Sequence, residues 1–117
     1  MSTSGIIILN TNRQILVFTP GAEDLLGWRG QNVEGMDCRV VMDCRGPDGA
    51  SLCAHCDAAC ALQRQEMTPP RVIEIAEATG GRASVTTSFC YLPPSGFISE
   101  PRVMAVLKPA PVVAALH

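Results

Sequence analysis

Five of the six cysteines fall in one window: Cys38, Cys44, Cys53, Cys56 and Cys60, spaced C-x5-C-x8-C-x2-C-x3-C, with His55 inside the last run. Thiolates are soft ligands that suit zinc or iron–sulfur clusters, and a C-x2-C pair lets two sulfurs reach one metal. Disulfides and buried free thiols are the plainer fates of cysteine. His55 is a candidate ligand to a metal or a haem iron, against the plain reading of a solvated loop residue. Cys90 stands apart in a segment that reads as strand, where a small buried hydrophobe is expected. No Ser/His/Asp arrangement, phosphate-cradling glycine loop or general acid/base pair is visible, so no enzyme is expected. A thiol oxidoreductase would carry its C-x2-C beside a parallel βαβ pattern, which this sequence lacks.

Elements must hold those sulfurs in place. Asp57 to Met67 reads as a helix from its good formers Ala58, Ala59, Ala61, Leu62, Gln63, Gln65 and Glu66, and Thr68-Pro69-Pro70 ends it. On that helix Cys56 and Cys60 lie four apart and should share a face, with Cys53 one turn earlier at the entry. Arg45 to Ala50 is a turn by composition, able to fold the Cys38/Cys44 arm back. At least three of the five thiols are therefore expected to converge within one coordination sphere, with Cys90 apart. Five exceed the four positions of a tetrahedral site or cubane.

Upstream, Gly5 to Leu9 is a β-branched strand, Asn10 to Arg13 a turn, and Gln14 to Phe18 a second strand. Thr19 as N-cap and Pro20 at the first position start a short helix that Gly27 stops. Trp28 is expected to pack over it. Trp28 to Met42 suggests a loop with about one helical turn, Val33, Met36, Val40 and Val41 pointing inward. Downstream, Arg71 to Glu77 alternates with Ile73 and Ile75 on one face. Thr79 to Arg82 is a hairpin turn, Ala83 to Leu92 a long strand, and Arg102 to Lys108 the last. Ile7, Leu9, Ile73, Ile75, Val85 and Val106 are the expected core. The order predicts an α+β domain, a five-stranded antiparallel sheet with short helices on one face. Residues 1–108 form that domain, and 109–117 read as a linker or docking tail.

The 117 residues suit one core, 47% apolar with few aromatics. A net charge of −2 offers no basic stripe for nucleic acid. No apolar run approaches the ~20 residues of a membrane-spanning helix. The first residues lack the basic region and cleavage site of a secretory signal. Cytoplasmic residence is the default expectation, and a reducing compartment disfavours structural disulfides.

Over roughly Gly5 to Lys108 the chain resembles a PAS sensor domain. The carrying residues are Gly5-Ile-Ile-Ile-Leu-Asn10, Arg13-Gln-Ile-Leu-Val-Phe18, Pro20-Gly-Ala-Glu-Asp-Leu-Leu-Gly-Trp28 in place of the family's N-x-A-A-E-x-L-x-G helix, and Val33-Glu-Gly35. The resemblance implies sheet order 2-1-5-4-3, helices around a ligand pocket on the inner face, and sensing or protein interaction. The cysteines are similar to a bacterial PAS subgroup with C-x-x-V/F, a second Cys, and C-x-x-C or "C-P-L", where Ala61 replaces Pro. Oxygen-sensing PAS kinases that hold a [4Fe–4S] cluster use two C-x2-C pairs, against one here. In this subgroup pattern Cys38, Cys44, Cys53 and Cys60 are the four ligands and Cys56 is spare. Asp37-Cys38-Arg39 also resembles the N-C-R-F-L-Q flavin motif of LOV domains, followed here by Val40-Val-Met42.

The reading is a cytoplasmic sensor of redox state or oxygen through a cysteine-bound centre, an iron–sulfur cluster ([4Fe–4S] or [2Fe–2S]) or zinc. The alternatives are a structural-zinc or metal-free interaction module, or a receptor for a small molecule, haem or flavin. A homodimer is expected, signalling to a partner protein or a fused output domain.

Overall fold

The computed structural model describes residues 4–53 and 56–110. His55, and residues 111–117 of the expected tail, lie outside the described residues. Five strands, β1 (Gly5–Leu9), β2 (Ile15–Phe18), β3 (Arg71–Ala76), β4 (Arg82–Leu92) and β5 (Arg102–Pro109), form one sheet in the order β2-β1-β5-β4-β3. Every pairing is antiparallel. Between β2 and β3 run α1 (Pro20–Leu26), α2 (Gly30–Val33), α3 (Cys38–Val41) and α4 (Asp57–Arg64). This is the α+β architecture and strand order expected. No helix of the described residues is long and apolar enough to cross a membrane.

The core lies between the sheet's inner face and the helices. Side chains alternate across a strand, so Ile7 and Leu9, Ile73 and Ile75, Val85 and Phe89, and Val103, Ala105 and Leu107 share that face and are buried. Val106, expected in the core, is the exception. It pairs with Ile6 and Ser88 on the outer face, because β5 turns its odd-numbered residues inward.

The short helices show where local signals were right and where packing overrode them. Thr19 does precede α1, but its hydroxyl makes no bond within the helix. It accepts instead from the Ile6 N–H at 2.9 Å, tying the helix to β1. Gly27 closes α1 in the left-handed conformation, φ 79°, which glycine adopts without a Cβ clash. Trp28 packs against the core and donates from Nε1 to the Ala76 carbonyl at 3.0 Å. The stretch expected to hold one helical turn holds two, α2 and α3. Val33 and Val41 are buried, while Val40 is exposed because a four-residue helix offers only part of its circumference to the core, and Met36 is exposed in the bend between α2 and α3. The helix expected to reach Met67 stops at Arg64, where Gln65 turns left-handed at φ 57°.

Candidate functional site

Cys38 opens α3. Asp37 caps that turn, accepting from the Arg39 N–H at 2.8 Å, and the Cys38 N–H donates to the Arg13 carbonyl at 2.9 Å. Sulfur is thereby held inward, and Cys38 is buried in the core.

Cys44 is placed by β3. After α3 the chain runs along the edge of that strand: Ala76 donates to the Met42 carbonyl, and Arg45 and Glu74 exchange both backbone bonds, each at 2.8 Å. Asp43 takes a positive φ of 40° and accepts ion pairs from Arg45 and Arg82. Arg82 also donates to the Asp43 carbonyl. The turn after Arg45 then reverses the chain, with Arg45 bridged to Ser51 and the Leu52 N–H on the Cys44 carbonyl at 2.9 Å. This hairpin lays Cys44 beside Leu52 and delivers Cys53, whose carbonyl accepts from the Arg13 guanidinium at 3.5 Å. Cys56 follows as N-cap of α4.

Four thiols, Cys38, Cys44, Cys53 and Cys56, thus line one small cavity of about 20 Å³. Leu52, Ile73 and Phe89 supply apolar wall, and Arg39, Asp57 and Arg71 complete it. Arg71 from β3 pairs with Asp57 from α4 at 2.7 Å. Burial pushes the Cys38 thiol up to about 12, with negative charge on Cys56 and Asp37 acting the same way. Cys44 is raised for the same first reason, helped by Cys56 and Cys53. Each group responds to its neighbours because they share one low-dielectric space.

Cys60 does not line this cavity. The rule that residues four apart share a face holds only where both are helical, and Cys56 stands before the helix with an extended backbone, φ −70° and ψ 132°. Its sulfur therefore turns into the cavity while Cys60 points elsewhere. Cys90 is half-buried on the outer face of β4, its Sγ 3.6 Å from the Tyr91 carbonyl. Arg39 and Arg71 were not singled out from sequence. A guanidinium carries no local signal that it will end beside a thiol, and the β3–α4 ion pair spans residues 14 apart.

The donor chemistry fits a soft metal centre. Among the described residues, however, no three His, Cys, Asp or Glu side chains stand together as a single ion requires. The four sulfurs surround the space rather than meet at one point.

No family sequence model and no curated protein matches this sequence. Solved structures do. A PAS domain from Colwellia psychrerythraea superposes with a TM-score of 0.71 at 11% identity, over 92% of this chain and 86% of that one. This chain has the PAS fold. A light-oxygen-voltage domain studied with a flavin analogue matches at TM-score 0.69 and 20% identity, over 97% of this PAS-fold chain and 82% of that one. The PAS domain of the Cronobacter turicensis quorum-sensing receptor RpfR, in complex with BDSF, matches at 0.61 and 15%, covering 91% and 93%.

Proposed function

We propose that this PAS-fold domain is a sensory module that reads redox state or oxygen through a centre bound by Cys38, Cys44, Cys53 and Cys56. The carrying observation is that these four thiols, from three separate segments, line one cavity. An iron–sulfur cluster suits that arrangement better than one zinc ion, because cluster thiolates sit on different irons and do not converge on one point. Bound there, such a centre would supply a change of charge, or loss of the metal, on oxidation. The free space is small, so the arms that carry the thiols would have to part to admit a body of several atoms. Cys44 is joined to the sheet by the Arg45–Glu74 backbone pair, which gives its displacement a direct route to the edge of β3. A flavin ring would need the same cavity to open further still, and the LOV-like tripeptide Asp37-Cys38-Arg39 places Cys38 beside the other thiols.

The test is anaerobic purification with an absorption spectrum and separate assays of iron, sulfide and zinc. Iron and sulfide, lost on Cys38→Ser or Cys56→Ser but kept on Cys90→Ser, are expected. Zinc without sulfide would make the site a structural staple. Metal-free protein, or wild-type metal content and melting temperature in the Cys38 and Cys56 variants, would sink the proposal.

A further inference from the structure

The four cavity thiols are not equivalent. Cys38 is sealed in the core, whereas Cys53 and Cys56 are only half-buried. These two are also separated by just two residues, a spacing that a turn or helix start brings within the ~7 Å between Cα atoms that a disulfide tolerates. Both sulfurs lie against the same cavity, and all six cysteines are free. Each partner is anchored separately: Cys53 follows the hairpin and is tied to Arg13, while Cys56 heads α4. Joining them would close a very short loop and leave the sheet untouched. A short loop removes little chain entropy, so the bond would be locally reversible rather than a lock on the fold.

We propose that Cys53 and Cys56 form a reversible disulfide, with a small-molecule disulfide such as oxidised glutathione as co-reactant, and that this bond is a second redox input to the cavity. In the first step one of the pair, as thiolate, attacks a sulfur of the small disulfide. A mixed disulfide forms and one small thiol leaves. The second cysteine, as thiolate, then attacks the first one's Sγ, forming the Sγ–Sγ bond and releasing the other small thiol. The two cysteines are oxidised by two electrons, the small disulfide is reduced by two, and the two protons end on the released thiols. Two of the four donors are then unable to bind metal. This rests on the cavity being the sensing site, but not on which metal fills it.

The experiment uses the full-length, reduced, metal-free chain carrying Cys60→Ser, so that the tryptic peptide Gly46 to Arg64 contains Cys53 and Cys56 as its only cysteines. After equilibration with oxidised and reduced glutathione, that peptide should be lighter by two hydrogens and the protein should have two fewer alkylatable thiols. Excess reduced thiol should reverse both changes. Adding Cys56→Ser should halt the reaction at a glutathione adduct on Cys53. An unchanged peptide mass, a bond from either residue to Cys38 or Cys44, or a link between two chains would each overturn the inference. Because the protein is metal-free, a failed iron or zinc assay under the preceding proposal leaves this measurement intact.

Discussion

At Cys38 the thiol is held neutral by burial against the other cavity sulfurs, its pKa pushed up to about 12 from an ordinary 9.0. The folded state therefore holds this proton more tightly than the unfolded chain. In the metal-free protein the stability linked to it is fully present below about pH 9, and it drains away as pH rises toward 12. Chemical denaturation between those limits should show a steady loss of stability whose slope is shallower in Cys38→Ala, the remainder coming from Cys44, which burial raises in the same way. An equal slope in the two proteins would show that Cys38 is not the group responsible. The same proton binding opposes metal, since ligating thiols must be deprotonated.

The hairpin after α3 shows how an element sets the site. Met42 and Arg45 pair with β3 and Ser51 pairs back on Arg45, so Cys44 is located by backbone bonds rather than by its own contacts. Helix α1 is placed just as closely. A Cβ on Gly5 would stand 2.7 Å from the Ala22 backbone, and one on Gly21 would run into the Ser4 carbonyl. Gly21 sits inside α1, where propensity alone makes Ala better than Gly by ~1 kcal/mol. The close approach reverses that sign. Gly21→Ala is expected to lower stability by about 1–3 kcal/mol, the usual cost of overpacking. A raised midpoint in urea would show that the β1–α1 contact yields easily.

For the whole molecule, the outer face of the sheet is the surface to watch. Ile8 pairs with Val17 on one side and Met104 on the other, Met104 pairs with Cys90, and Val106 pairs with Ile6. These residues are only partly covered, and contiguous apolar surface of this kind marks interaction sites. Self-association through this face is the expectation. Light scattering should give a dimer mass that Val106→Glu lowers toward the monomer. A wild-type monomer at high concentration would remove the face from consideration.

Core residues and the grouping of cysteines were legible because they rest on local rules, whereas the strand order β2-β1-β5-β4-β3 was expected only from the resemblance to PAS domains. Alternation of two along β1, β3 and β4 names their inward residues, glycine marks the end of α1, and a C-x2-C pair can bring two sulfurs to one centre where the chain turns. Ile7, Leu9, Ile73, Ile75 and Val85 are buried accordingly. Long-range placement was not legible. Whether Val106 or its neighbours face the core depends on register against β1 and β4, and a one-residue shift exchanges the faces. Whether Cys56 or Cys60 enters the cavity depends on where α4 begins, and the capping geometry at Cys56 decides that. Arg71 and Asp57 meet only because α4 packs against β4 and β5, which brings its first residue within reach of the start of β3. Tertiary structure alone brought three separated segments around one space, since the energy of that contact is spread over the sheet rather than written in any short stretch of sequence.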